Sequence, residues 1–181
     1  MNWREDQPTI SYPWYGAGTW EVLQQGDILP ECPVILPTDD FAGKLSDIVA
    51  NIPTESPIQV DLANLIVMSQ SCDLENDKID QVLLCATFPA TEYTKNERFD
   101  IIKERRPATH MIEMCDVEGS NFGRQVVDFR TVYTLPKDFA TKFASRLERR
   151  VRLLPPYREH LSQAFARYFM RVGLPRALTP E

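Results

Sequence analysis

Ser69, Ser71, Cys72 and Asp73 put two hydroxyls, a thiol and a carboxylate into one short stretch, directly after the apolar run Leu65-Ile66-Val67-Met68. Four consecutive apolar residues without polar alternation fit a strand buried on both faces. Polar side chains at the carboxyl end of such a strand are held firmly enough for chemistry or recognition. Cys72 is a candidate nucleophile where an imidazole stands beside it, because the thiolate is the reactive form. The chain has two histidines, and His110 is the candidate partner, with Asp73, Asp116 or Asp128 to orient it. A half-buried cysteine in a hydrogen-bonded turn accounts for the same residues without chemistry.

Other chemistries are limited by what is missing. Cys32, Cys72, Cys115, His110 and the acidic residues Asp73, Glu75 and Asp77 have the right types for a metal site. They lack the paired close spacings of structural zinc, and the acidic alternation lacks the glycine and terminal glutamate of a calcium loop. No metal and no cofactor is expected. The seven glycines form no Gly-x-Gly-x-x-Gly, and there is no Gly-x-Ser-x-Gly elbow, which removes the common nucleotide-dependent and hydrolase readings.

Charge is unevenly distributed. The net charge is −6, but residues 1–123 carry 8 Lys+Arg against 21 Asp+Glu, and residues 124–176 carry 12 against 4. Such asymmetry marks either a surface for nucleic acid or an acidic partner, or basic elements that face the acidic body of the same molecule. The candidate binding cations are Arg105, Arg106, Arg146, Arg149, Arg150, Arg152 and Arg158, with Tyr133 and Tyr157 as stacking neighbours. A solvated helix face is the plain alternative. No run approaches the ~18 apolar residues of a membrane span, and the amino terminus lacks the basic start and apolar core of a secretory signal. Four widely spaced cysteines then read as reduced thiols of a cytoplasmic protein.

The elements that position these residues follow from pattern. Residues 1–23, rich in aromatics and turn formers, read as an irregular arm. Gly26–Leu29 and Pro33–Pro37 read as two short strands, with a helical turn near Phe41–Val49. The central strand spans about 61–69, a charged loop covers 74–80, and Gln81–Phe88 is a second buried strand, adjacent or antiparallel to the first. A helix over 91–107, a strand over 110–115, a turn at 119–123 and a β-rich run over 125–134 follow. Phe139, Phe143 and Leu147, then Leu161, Phe165, Tyr168 and Val172, set out two helices, the second stopped by Gly173 and Pro175. The reading is one domain, with the arm at 1–23, a barrel at 24–135 and a helical tail at 136–176.

Gly26-Asp27-Ile28, the Ser-Gln-Ser-Cys-Asp-Leu corner at 69–74, Val82–Phe88, Val127-Asp128-Phe129-Arg130 and the tail Tyr157-Arg158-Glu159-His160-Leu161-Ser162-Gln163-Ala164-Phe165 together resemble an uncharacterised prokaryotic protein family. More distantly, Gly26-Asp27-Ile28, Leu65–Gln70, Leu83–Thr87 and Val127-Asp128-Phe129 are similar to the PemK/MazF-like toxins, small SH3-like barrels that cleave RNA. That resemblance implies an α+β fold, an SH3-like β-barrel with a carboxyl-terminal helical pair, and places Thr87 where those toxins carry a catalytic threonine. Their partnering arginine falls where this chain has Ala63-Asn64, so the cation for a phosphorane-like charge is missing. The expectation is a domain of a prokaryotic defence or toxin–antitoxin-like locus, without strong catalysis of its own. It binds nucleic acid or a protein partner through the basic carboxyl-terminal region, or pairs as a homodimer. The rivals are an endoribonuclease using Thr87 with Ser69, Ser71 or Asp73, and a thiol enzyme using Cys72 and His110.

Overall fold

Leu65–Met68 shows no polar alternation because both faces of its sheet are covered. Leu65 and Val67 lie in one core with Leu29, Val34, Val82 and Leu84, while Ile66 and Met68 lie in another with Cys85, Val127, Phe129 and Leu153. The computed structural model describes residues 12–37 and 58–170. The arm before Tyr12, the turn near Phe41–Val49 and the stop signal at Gly173 and Pro175 lie outside them.

The elements are β1 (Tyr15–Gly18), β2 (Asp27–Pro37), β3 (Ile58–Val67), α1 (Ser71–Glu75), β4 (Gln81–Pro89), α2 (Lys95–Ile102), β5 (Thr109–Ile112), β6 (Cys115–Val117), β7 (Ser120–Phe122), β8 (Gln125–Pro136), α3 (Lys137–Ala144), β9 (Arg150–Leu153) and α4 (Tyr157–Phe169). Seven strands form one sheet in the order β1-β9-β2-β3-β4-β8-β5, and β6 and β7 make a separate hairpin. Every strand pair is antiparallel, including β3 with β4. The fold is therefore α+β, built on an antiparallel sheet with four helices.

Several boundaries differ from the sequence expectation for local reasons. The two short strands expected at 26–37 are one strand, irregular between Leu29 and Cys32, where Glu31 takes φ 49 and the ladder shifts register. The helix expected over 91–107 is the shorter α2, started by a capping box in which Thr94 and Glu97 bond each other reciprocally. The carboxyl-terminal helices do not form a pair. Strand β9 separates them, and they cover opposite faces: Ala140 and Ala144 of α3 join the first core, Leu161 of α4 the second.

No closed barrel forms among the described residues, because β1 and β5 remain the two edges of the sheet. They are bridged by a side chain. Tyr15 Oη donates to the Glu113 carbonyl at 2.6 Å just beyond β5, and the Tyr15 ring stands edge-on to Phe122 at 5.5 Å.

One glycine is required by geometry. Gly26 takes φ +86, donates to Val67 O and accepts from the Leu153 N–H, each at 2.9 Å, so it sits between β3 and β9. A Cβ there would lie 2.9 Å from the Leu153 carbonyl oxygen, whereas at Gly123 it would meet nothing within 4 Å. Gly26→Ala is expected to cost about 1–3 kcal/mol in urea unfolding, lowering the midpoint at constant m, and Gly123→Ala to be close to neutral.

Candidate functional site

The polar corner folds where β3 ends. Ser69 Oγ accepts from the Leu83 N–H at 2.8 Å, tying the corner to the start of β4. Residues 71–75, expected as corner and loop, wind into the short helix α1, anchored by buried Leu74. Lys137 reaches back from α3 to the Leu74 carbonyl and the Asp77 carboxylate. This leaves Cys72 exposed at the surface, with its Sγ 3.7 Å from Asp73 Oδ1.

Gln25 locks this corner to the rest of the molecule. Its backbone N–H donates to Ser71 Oγ at 3.2 Å, and its Nε2 donates to the Met68 carbonyl at 2.8 Å and to Ser162 Oγ at 3.4 Å. The segment before β2, the end of β3 and helix α4 therefore meet at one amide. Around it Gln70, Ser71 and Cys72 face Arg158, Glu159, Ser162 and Gln163 across a groove of about 380 Å³. Arg158 is held on its neighbour Glu159 through Nε at 3.1 Å and Nη2 at 2.7 Å. The corner at 69–74 and the tail at 157–165, far apart in the chain, thus form the two walls of one site. Gln25 was not legible as a site residue; the only hint is a polar pair, Gln24-Gln25, between apolar Leu23 and the Gly26-Asp27 turn.

The candidate cations scatter. Arg150 and Arg152 are not on a surface, because β9 carries both into the interior beside Asp27, which is fully buried. Arg152 binds that carboxylate through Nε at 2.5 Å and Nη2 at 3.0 Å, and its guanidinium lies 4.2 Å from the Trp20 ring. Arg150 Nε stands 3.2 Å from Asp27, while its Nη2 donates to the carbonyls of Trp20 and Val22. Burial pulls the Arg150 guanidinium below its ordinary pKa, against the favourable pull of Asp27. The expected phosphate-binding role of Arg150 and Arg152 is corrected accordingly: they are the internal counter-ions of Asp27. Arg105 and Arg106 pair with Asp100 and Glu97, and Arg149 donates to the Glu118 carbonyl. Arg146 is exposed beyond α3, and only Arg158 reaches the groove.

Thr87 and His110 lie elsewhere. Thr87 is buried, its Oγ1 donates to the Asn64 carbonyl at 3.3 Å, and it lines a separate small cavity with Asn64, Ile112 and Gln125. Among the described residues no basic side chain lines that cavity. His110 sits on β5 beside Glu104, and neither histidine lines the groove that holds Cys72. Burial, helped by the like-charged neighbours His160 and Arg167, pulls the His110 pKa from 6.5 to about 4, with Glu104 opposing. Among the described residues no group of three or more His, Cys, Asp or Glu is arranged to hold a metal ion. None of their helices is long and apolar enough to cross a membrane. No protein-family model and no curated protein matches the chain.

Three outcomes follow from these placements. Asp27→Ala leaves two buried guanidinium groups without their counter-ion and is expected to cost about 3–5 kcal/mol in denaturant unfolding, against less than about 1 kcal/mol for Arg105→Ala at an exposed pair. His110 is held neutral in the fold, so the unfolded chain binds more protons than the native one between pH 6.5 and about 4. Stability therefore falls as pH drops through that window, by on the order of 3 kcal/mol, and His110→Gln removes this part of the slope. In native protein, iodoacetamide should label Cys72 first, since Cys32, Cys85 and Cys115 are buried and burial pushes the Cys85 thiol up to about 12.

Proposed function

We propose that the protein is a recognition domain, without covalent chemistry of its own, that holds a basic, amide-bearing segment of a protein partner in the groove between residues 69–74 and the start of α4. The observation that carries this reading is the convergence of Gln25, Gln70, Ser71, Arg158, Ser162 and Gln163 on one open groove. Amides and hydroxyls both donate and accept, so together they match the alternating donors and acceptors of a peptide backbone or an amide side chain.

Charge chooses between a protein and a nucleic acid. Asp73, Glu75, Asp77 and Asp80 follow the corner along the chain, and Lys78 and Lys137 pair with Asp73 and Asp77. A carboxylate-rich segment beside the groove disfavours phosphate and attracts lysine and arginine. Of the cations that would have favoured nucleic acid, those at 150 and 152 are internal and the one at 105 is paired with Asp100. The resemblance to PemK/MazF-like barrels supplies the setting of this proposal, a prokaryotic defence or toxin–antitoxin-like locus. The sheet whose edges are bridged through Tyr15 is compatible with an SH3-like barrel of that kind.

Fluorescence anisotropy with labelled Lys/Gln-bearing peptides and single-stranded RNA of matched length tests the reading on the full chain. Peptides should bind with an affinity that falls as salt rises, and Ser162→Arg, which fills the groove and adds a positive charge, should weaken them at least about tenfold. RNA binding tighter than any peptide, or peptide binding indifferent to Ser162→Arg, would overturn it.

A further inference from the structure

A second concave site lies on the opposite flank of α4, and none of its residues belongs to the groove at Cys72. It consists of two adjoining cavities of about 200 and 250 Å³ that share Glu104 and His110 in their walls. The first is walled by Trp14, Ile101, Ile102 and Met111 together with the Glu113–Arg124 ion pair. The second is walled by Arg106, Arg167 and Thr109, so that two guanidinium groups face the shared Glu104 carboxylate with one positive charge in excess.

The walls are held in place before any ligand arrives. Trp14 stacks on Tyr157 with ring centroids 3.6 Å apart and planes inclined by only 7°, so one indole face is already fixed. Glu104 takes φ 54, a backbone conformation uncommon outside glycine, at the seam between the two cavities. Arg167 is engaged only loosely there. Its Nη2 lies 3.8 Å from Glu104 Oε2, beyond hydrogen-bond distance, and both side chains are well exposed, so the contact contributes little and the guanidinium can turn to an anion. Arg106 bonds Glu97 through one nitrogen and keeps its other N–H donors. The Glu113 carboxylate is neutralised by the two-pronged contact with Arg124.

We propose that this bipartite cleft is a binding site for a phosphomonoester carrying a flat ring, with a mononucleotide as the matching size: the ring lies in the compartment of Trp14 and Met111, and the phosphate lies between Arg106 and Arg167. Aromatic and aliphatic walls favour a ring, and planar guanidinium forks favour phosphate oxygens. His110 stands between the two compartments as a neutral imidazole, offering a hydrogen bond where ring and phosphate join.

Isothermal titration of the full chain with adenosine 5′-monophosphate, adenosine and inorganic phosphate reads the two compartments separately. The mononucleotide should bind saturably, and at least about tenfold more tightly than either half alone. Arg167→Ala, on an exposed helix face, should weaken the mononucleotide and phosphate together. Ile102→Asp, on the exposed side of α2, should weaken the mononucleotide and adenosine while leaving phosphate unchanged. Circular dichroism checks that both variants keep the native fold. No saturable heat with the mononucleotide, or a mononucleotide affinity unmoved by Arg167→Ala, would overturn the assignment. Either result leaves the partner groove at Cys72 untouched, because the two sites share no residue.

Discussion

A single carboxylate, buried between two arginines, governs the way this chain folds around its candidate site. Asp27 opens β2 directly opposite Arg152 of β9, and Arg150 stands two residues earlier on the same strand. A carboxylate in a protein interior is costly unless it is paired and fully hydrogen-bonded. Here Arg152 supplies a two-pronged contact and the Gln24 N–H donates to the second carboxylate oxygen at 2.9 Å. The guanidinium groups in turn donate to the carbonyls of Trp20 and Val22, so the segment before β2 is stitched to β9 by side chains. Gln25 and Gly26 follow immediately, and their placement fixes the back wall of the groove. Removing the carboxylate would loosen three segments, since among the described residues no other carboxylate pairs with the two buried cations.

This network also explains what the sequence conceals. Runs of apolar residues announce their role, and the strands at 61–69, 81–88 and 125–134 were legible for that reason. Arg150-Val151-Arg152-Leu153 alternates charged and apolar residues, the pattern of a strand with one solvated face, yet all four are buried. Only their pairing with a residue more than a hundred positions away makes burial affordable, and a distant partner leaves no mark on local pattern. The same limit applies to the barrel. Strand identities follow from local pattern, but closure depends on whether the edge strands meet, and here β1 and β5 are joined by one tyrosine rather than by a ladder. Of the site, the corner at 69–74 and the tail at 157–165 were visible as motifs. Their meeting was not, because it depends on α4 packing on the face of the sheet opposite to α3.

Helix α4 distributes three roles by helical spacing. Leu161, Phe165 and Tyr168 recur at three and four residues and pack into the second core, with Phe165 edge-on to Phe129 at 5.4 Å. Arg158, Glu159, Ser162 and Gln163 look onto the groove, and Ala164 and Arg167 onto the cleft beside His110. One helix thus separates an amide-lined groove from a cleft that holds two arginines and a glutamate. The chemistry of each side argues for a different occupant, and the described arginines are divided between the interior, exposed pairs and these two sites.

Cys72 and the first turns of α4 are walls of one groove, so bulk added to one wall must shield the other. The direct measurement is the rate of Cys72 alkylation by iodoacetamide in native protein, compared between the parent chain and Ser162→Tyr under identical conditions. Alkylation should slow clearly in Ser162→Tyr, with no change in the denatured protein. An unchanged native rate would contradict it, since the two motifs would then not face each other.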